Sequence, residues 1–340
     1  MRIFRQGDEG PEILDIQQRL AALGYALAAA ELTGLFGPST VAAVRDFQAD
    51  RNLGVDGLVG PDTWMQLVEA GFRLGDRTLY LHAPPFRGDD VRTLQRKLNA
   101  LGFDAAKEDG VYGPRTDRAV HEFQHNVGEE SDGVVGLHTI GMLERMRPLD
   151  DVPGRAVVRE AEELRDTRGG LTGQIVAIDP GDAPRDEGPP IHLRLADALA
   201  DRLSMLGAKP QVLPDPGSPP SERARLANEL DASVCLSLHL GTELPEASGP
   251  TCSYFGSAIT YSPAGRHLAQ LILEELERAM GRRGRLQRLT VGMLRETRMP
   301  AVQIEPLVMA NGLEADLLRD PAFPDLFAAA VAAGVRRFFA

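Results

Sequence analysis

The feature that most constrains this chain is an internal repeat. Residues 6–70 and 84–147 carry the same punctuation in the same order, and a period of this kind fixes architecture before any local detail does. Gly7-Asp8 precedes Ile13, Leu14, Gln17, Leu20 and Leu23-Gly24-Tyr25. Its echo is Gly88-Asp89, then Val91, Leu94, Gln95, Leu98 and Leu101-Gly102-Phe103. The spacing is that of an amphipathic helix, with Gly24 and Gly102 as stops. Gly34-Leu-Phe-Gly-Pro38 and Gly110-Val-Tyr-Gly-Pro114 then turn the chain into a second helix, carrying Val44, Phe47 and Gln48 or Val120, Phe123 and Gln124. Val55-Asp-Gly-Leu-Val-Gly60 and Ser131-Asp-Gly-Val-Val-Gly136 lead to a third, with Thr63, Trp64 and Leu67 matched by Thr139, Ile140 and Leu143. This predicts two small all-α three-helix repeats, 1–75 and 76–147.

A linker, 148–171, follows: Pro148, Pro153-Gly154, a charged stretch and Gly169-Gly170. From Thr172 apolar runs alternate with helical patterns, which predicts an α/β domain over 172–340 with a mostly parallel twisted sheet flanked by helices. Strands are expected at 174–179, 209–213, 232–238, 251–255 and 301–305. Helices are expected at 191–206, 221–230, 263–280 and 323–339. Ser221 and Ser262 are the expected caps of the second and third.

Three of these strands end on donor residues. Ile175-Val-Ala-Ile-Asp-Pro-Gly runs into Asp182, Val234-Cys-Leu-Ser-Leu into His239, and Ala301-Val-Gln-Ile ends on Glu305. Strand ends of an open α/β sheet border its ligand crevice. Asp, His and Glu brought together there are donor types suited to a divalent metal.

The motifs Ile-Asp-Pro-Gly, Ser-Leu-His and Pro-Ala-Val-Gln-Ile-Glu resemble those of the zinc-dependent N-acetylmuramoyl-L-alanine amidases of the type-3 class. That family places a histidine after Asp-Pro-Gly, a glutamate opening the next helix, a second histidine in Ser-Ile-His-Ala-Asn, and a catalytic glutamate after Pro-Ala-Val. By this resemblance His239 is the second zinc histidine and Glu305 the catalytic acid/base. Asp182 stands where the first histidine belongs, and a solvated turn aspartate is the better reading of it. Glu187 lies one residue from the helix-glutamate position, which at a helix entry rotates a side chain by about 100°. His192 could be recruited, although a helix-surface histidine is the simpler account. Two of four positions are kept, whereas catalytic zinc needs three protein ligands and an open fourth place. The count favours an impaired site with no cofactor. The alternative is a zinc hydrolase cleaving the muramic acid–L-alanine amide bond.

The repeats resemble the peptidoglycan-binding type-1 module. Trp64 could serve as a sugar platform there or belong to the core. The order of modules, with Phe72-Arg-Leu-Gly-Asp-Arg-Thr-Leu-Tyr80 and Leu294-Arg-Glu-Thr-Arg-Met-Pro300, resembles cytoplasmic actinobacterial regulators of peptidoglycan synthesis. The Arg- and Ala-rich composition fits that source. The resemblance implies a peptidoglycan-biosynthesis partner, the enolpyruvyl transferase of the first committed step, and leaves a muropeptide or precursor glycan possible as ligand.

Net charge is −12, which argues against nucleic acid or an anionic membrane as partner. No apolar run reaches the roughly 20 residues of a membrane span. Met1-Arg-Ile-Phe-Arg lacks the apolar core of a signal peptide, so a cytoplasmic location is expected. The sequence ends at Arg337-Phe-Phe-Ala340, so phospho-control through a longer tail is not expected. Cys235 and Cys252 are expected as buried thiols rather than a disulfide.

Overall fold

The computed structural model describes residues 2–146, 169–181, 191–214, 218–240, 248–257, 260–308 and 312–340. The chain divides into two compact units, Met1–Glu162 and Glu163–Ala340. The expected linker lies outside the described residues, apart from 169–171.

The first unit is helical as expected: α1 (Pro11–Ala22), α2 (Pro38–Asp50), α3 (Pro61–Glu69), α4 (Asp89–Ala100), α5 (Pro114–Val127) and α6 (Leu137–Arg145). Gly24 and Gly102 take φ of +94° and +91°, the left-handed backbone that ends a helix most cheaply in glycine. The repetition runs deeper than the sequence suggested. Each repeat contains two turns of a shorter device, built on a buried glutamine. The Oε1 atoms of Gln17, Gln48, Gln95 and Gln124 accept from the backbone N–H of Gly34, Gly57, Gly110 and Gly133 at 3.3, 2.8, 2.8 and 2.9 Å. Their Nε2 groups donate to the carbonyls of Leu35, Leu58, Val111 and Val134 at 2.7, 2.9, 3.1 and 3.2 Å. Each amide thus ties its helix to the next turn, with its donor and acceptor both satisfied inside the core.

The connector motif Phe72–Tyr80 also has a structural role. The Arg77 guanidinium lies 3.8 Å from the Phe72 ring centroid, and its Nε donates to Asp90 Oδ2 at 2.7 Å. Arg51 reaches from the first repeat to Asp89 of the second at 2.6 Å.

The second unit holds β1 (Ile175–Asp179), α7 (Ile191–Met205), β2 (Lys209–Val212), α8 (Pro220–Glu229), β3 (Val234–Leu238) and β4 (Thr251–Phe255). After these come α9 (Pro263–Met280), β5 (Arg285–Leu289), α10 (Gly292–Glu296), β6 (Ala301–Glu305), α11 (Gly312–Arg319) and α12 (Phe323–Phe338). The sheet runs β2-β1-β3-β6-β4-β5, parallel except for the β4–β6 pair. One face packs Val176, Leu236, Val302 and Ile304 against α7, α9 and α12. Gly334 of α12 is needed there, since a Cβ would lie 2.6 Å from Ile272 Cα. The other face packs Ala177, Cys235 and Ala301 against α8 and α10.

Several expectations change. Pro219, not Ser221, caps α8, and the Ser221 hydroxyl donates to Glu296 Oε1 across to α10. Ser262 does cap α9, accepting from Gly265 N. His192 is 2% exposed, not a surface residue, because α7 turns it inward with Leu195, Ala196 and Leu199. β5, α10 and α11 were not foreseen. Arg285-Leu-Gln-Arg-Leu289 has no β-branched residue and sits at the sheet edge, where pairing rather than propensity makes the strand. Both cysteines are free and buried. No helix among the described residues is long and apolar enough to cross a membrane.

Candidate active site

The site is built on the α8/α10 face of the sheet, where the small apolar residues give way to a polar row. Register pairs Asp179 with Ser237, Ser237 with Gln303, Gln303 with Ser253, and Ser253 with Gln287. The first four are buried. Because strand side chains alternate with period two, Asp179, Ser237 and Gln303 lie two places beyond Ala177, Cys235 and Ala301 on the same face. Two places further on stand His239 and Glu305. They occupy adjacent strands, His239 N donating to Ile304 O at 2.9 Å, and both are half-buried at the end of the sheet.

The row is linked by hydrogen bonds. Ser237 Oγ donates to Asp179 Oδ2 at 2.6 Å, and His239 Nε2 lies 3.1 Å from the same hydroxyl. Asp179 Oδ1 accepts from Gly181 N at 3.1 Å and forms an ion pair with Arg223 Nη1 of α8 at 3.2 Å. Both charged groups of that pair are wholly buried. Glu305 Oε1 accepts from Gln303 Nε2 at 3.0 Å. Burial first and the Glu305 charge second push the neighbouring Cys252 thiol well above the usual range, so this cysteine is an inert core residue.

Two further contacts shape the rim. Gly181 has φ +73°, and a Cβ there would lie 1.9 Å from the Leu238 carbonyl. The Asp-Pro-Gly turn therefore packs its backbone directly on the residue before His239. Glu314, fully buried, accepts from Gly249 N and Val308 N, each at 2.8 Å, and pairs with Arg282 at 2.8 Å. It holds together backbone downstream of β3 and of β6.

Of the sequence candidates, the structure brings His239 and Glu305 side by side. Asp182 and Glu187 lie outside the described residues. Trp64 belongs to the other unit, half-buried in α3 with the Arg19 guanidinium 5.5 Å from its ring centroid. Glu305 accepts from Gln303 Nε2 within its own strand. Asp179, Ser237, Gln303 and Arg223 were missed as site residues. The readable signal was a polar residue two places before His239 and Glu305, Ser237 and Gln303, in otherwise apolar strands. Nothing in the helical pattern marked Arg223.

Residues 9–67 and 87–143 match the putative peptidoglycan binding domain, and residues 176–337 match the N-acetylmuramoyl-L-alanine amidase domain. A relative described as N-acetylmuramoyl-L-alanine amidase CwlM, from Mycobacterium tuberculosis, is 33% identical over 362 residues, covering 99% of this chain and 89% of its own length. The chain belongs to the N-acetylmuramoyl-L-alanine amidase family. Amidase CwlL of Bacillus licheniformis is 32% identical over 164 residues, 42% of this chain and 46% of that protein. The amidase Ami1 of Mycobacterium smegmatis superposes with a TM-score of 0.44 at 19% identity, covering 50% of this chain and 99% of that one.

The type-3 amidase resemblance implies zinc, and the donors present can be weighed against it. Among the described residues no three His, Cys, Asp or Glu side chains gather to hold a metal. At the strand ends they supply one imidazole, with Nε2 against Ser237, and one carboxylate, held by Gln303. A catalytic zinc needs three protein ligands, and the other candidates, Asp182 and Glu187, lie outside the described residues.

Proposed function

We propose that this amidase-family protein is catalytically impaired and serves as a cytoplasmic regulator of peptidoglycan precursor synthesis, with no resident metal. The donor count supports this reading. Of the four positions that carry zinc chemistry in the type-3 amidases, His239 and Glu305 alone keep the expected residue. Asp182 replaces a histidine within a turn that lacks the Gly-Gly following it in that class. With too few ligands to activate water, the fold keeps a crevice and a scaffold without the hydrolytic step. The partner proposed is a biosynthetic enzyme, the enolpyruvyl transferase of the first committed step. The repeats are left to hold muropeptide or precursor glycan, with Trp64 as a candidate contact.

Metal analysis and muropeptide release on the purified chain test the first half. The expected result is substoichiometric zinc and no release of peptide from muramic acid. Stoichiometric zinc, with release abolished in Glu305→Ala, would overturn it in favour of a zinc amidase. The adjacency of His239 and Glu305 on neighbouring strands favours that second reading. Titration calorimetry with purified enolpyruvyl transferase tests the partner, and no heat at micromolar concentrations would count against it.

A further inference from the structure

A chain of buried groups ends on His239 and has no counterpart in the zinc ligand set. Arg223 stands first, wholly buried beneath the sheet and ion-paired with Asp179 Oδ1 at 3.2 Å. The same oxygen accepts from Gly181 N at 3.1 Å. The other oxygen, Oδ2, accepts from Ser237 Oγ at 2.6 Å. A serine hydroxyl has a single proton. That proton is committed to Asp179, so toward His239 Nε2, 3.1 Å away, the hydroxyl can only accept. A contact at this distance between two acceptors would be repulsive. The nitrogen facing Ser237 must therefore carry the ring proton.

We propose that Arg223, Asp179 and Ser237 form a positioning chain that fixes His239 as the Nε2–H tautomer. The lone pair the ring then offers to a ligand is on Nδ1. That lone pair suits a proton donor or a divalent cation, and a neutral imidazole is held in one orientation for either. The chain works as outer hydrogen-bond partners do around a ligating histidine, setting which nitrogen is available. The proposal concerns the ring itself and holds whether or not the site hydrolyses anything.

The chemistry makes an asymmetric forecast. In Asp179→Asn the amide oxygen stays on the side of the two donors, Arg223 and Gly181 N–H. Its NH2 then faces Ser237 and donates to it. Ser237, now accepting from the amide, turns its own proton to His239 Nε2, and the ring proton moves to Nδ1. Ser237→Ala removes the intermediary and returns the ring to the tautomer mixture of a free imidazole, in which Nδ1–H is a substantial minority.

The test is histidine-selective 15N NMR on the full chain, at a pH well above the imidazole range. The chain has 7 histidines, and His239→Ala identifies the signal of interest. The expected outcome is a pure Nε2–H pattern in the wild type, the inverted pattern in Asp179→Asn and an averaged one in Ser237→Ala. An Nδ1–H wild-type ring would overturn the proposal. So would an unchanged Nε2–H pattern in Ser237→Ala, a variant that keeps the test decisive if Asp179→Asn does not fold. A folded Asp179→Asn protein without inversion would remove Asp179 from the chain.

Discussion

The two units of this molecule bury polar groups by the same chemistry and to different ends. In the helical repeats each buried glutamine bonds its helix to a glycine turn, and Gln48 closes the network on Thr63 at 3.1 Å. Donors and acceptors meet within the core. Across the sheet the network is open. It starts at a buried arginine, passes through Asp179 and Ser237, and stops at the half-buried imidazole of His239. A closed polar network specifies packing, whereas an open one delivers an oriented group to a surface.

Substitutions at the two kinds of network should therefore behave differently. The largest effect is expected for Arg223→Leu, which strands the Asp179 carboxylate in the interior. Breaking a buried pair in this way costs about 3–5 kcal/mol, to be read as a lowered urea midpoint of the α/β unit. Gln48→Leu comes next, because it orphans Gly57 N–H and the Leu58 carbonyl. Each unsatisfied group costs about 1–3 kcal/mol. Amide exchange should show the loss in the first repeat while the sheet keeps its protection. Ser237→Ala should cost less than Gln48→Leu, near 1–2 kcal/mol, since the imidazole it frees is half-buried. If Ser237→Ala proves the more destabilising, the distinction between closed and open networks fails.

Two smaller effects calibrate the scale. Ser262→Ala removes the α9 cap and should cost about 1 kcal/mol by thermal melt. Arg337 bonds Glu274 and Glu275 on the surface. Glu274 is held below its usual carboxylate range, first by its Arg337 hydrogen bond. A depressed folded-state pKa gives stability that is present above the unfolded value and lost as pH falls through the depressed one. Arg337→Ala should therefore lower stability at neutral pH only slightly, because the pair is exposed to solvent screening. The difference from wild type should vanish in strong acid and shrink in high salt.

Much of this was readable beforehand because it rests on spacing. Gly24, Gly102 and the Gly-Pro turns gave both repeats, and the runs ending at Asp179, Leu238 and Glu305 gave the central strands. The fourfold glutamine device stayed hidden because the glycine N–H and the carbonyl that each amide bonds are backbone atoms, which leave no mark in side-chain pattern. β5 was missed because its arginines obscure the alternation of an edge strand. The site was half legible. His239 and Glu305 announce themselves at strand ends, whereas the role of Asp179 appears only when register sets it beside Ser237. Arg223 shows the limit most plainly, for a charged residue on a polar helix reads as solvent-facing until the ion pair is seen.

On the function proposed, this amidase-family site lacks the ligands to grip a hydrolytic zinc. Equilibrium dialysis of the metal-free chain against zinc, with the bound metal counted, tests it most directly. The expected result is no saturable site surviving dialysis against a mild chelator, and no change when Glu305 is replaced by alanine. One zinc retained per chain, and lost on His239→Ala, would contradict it.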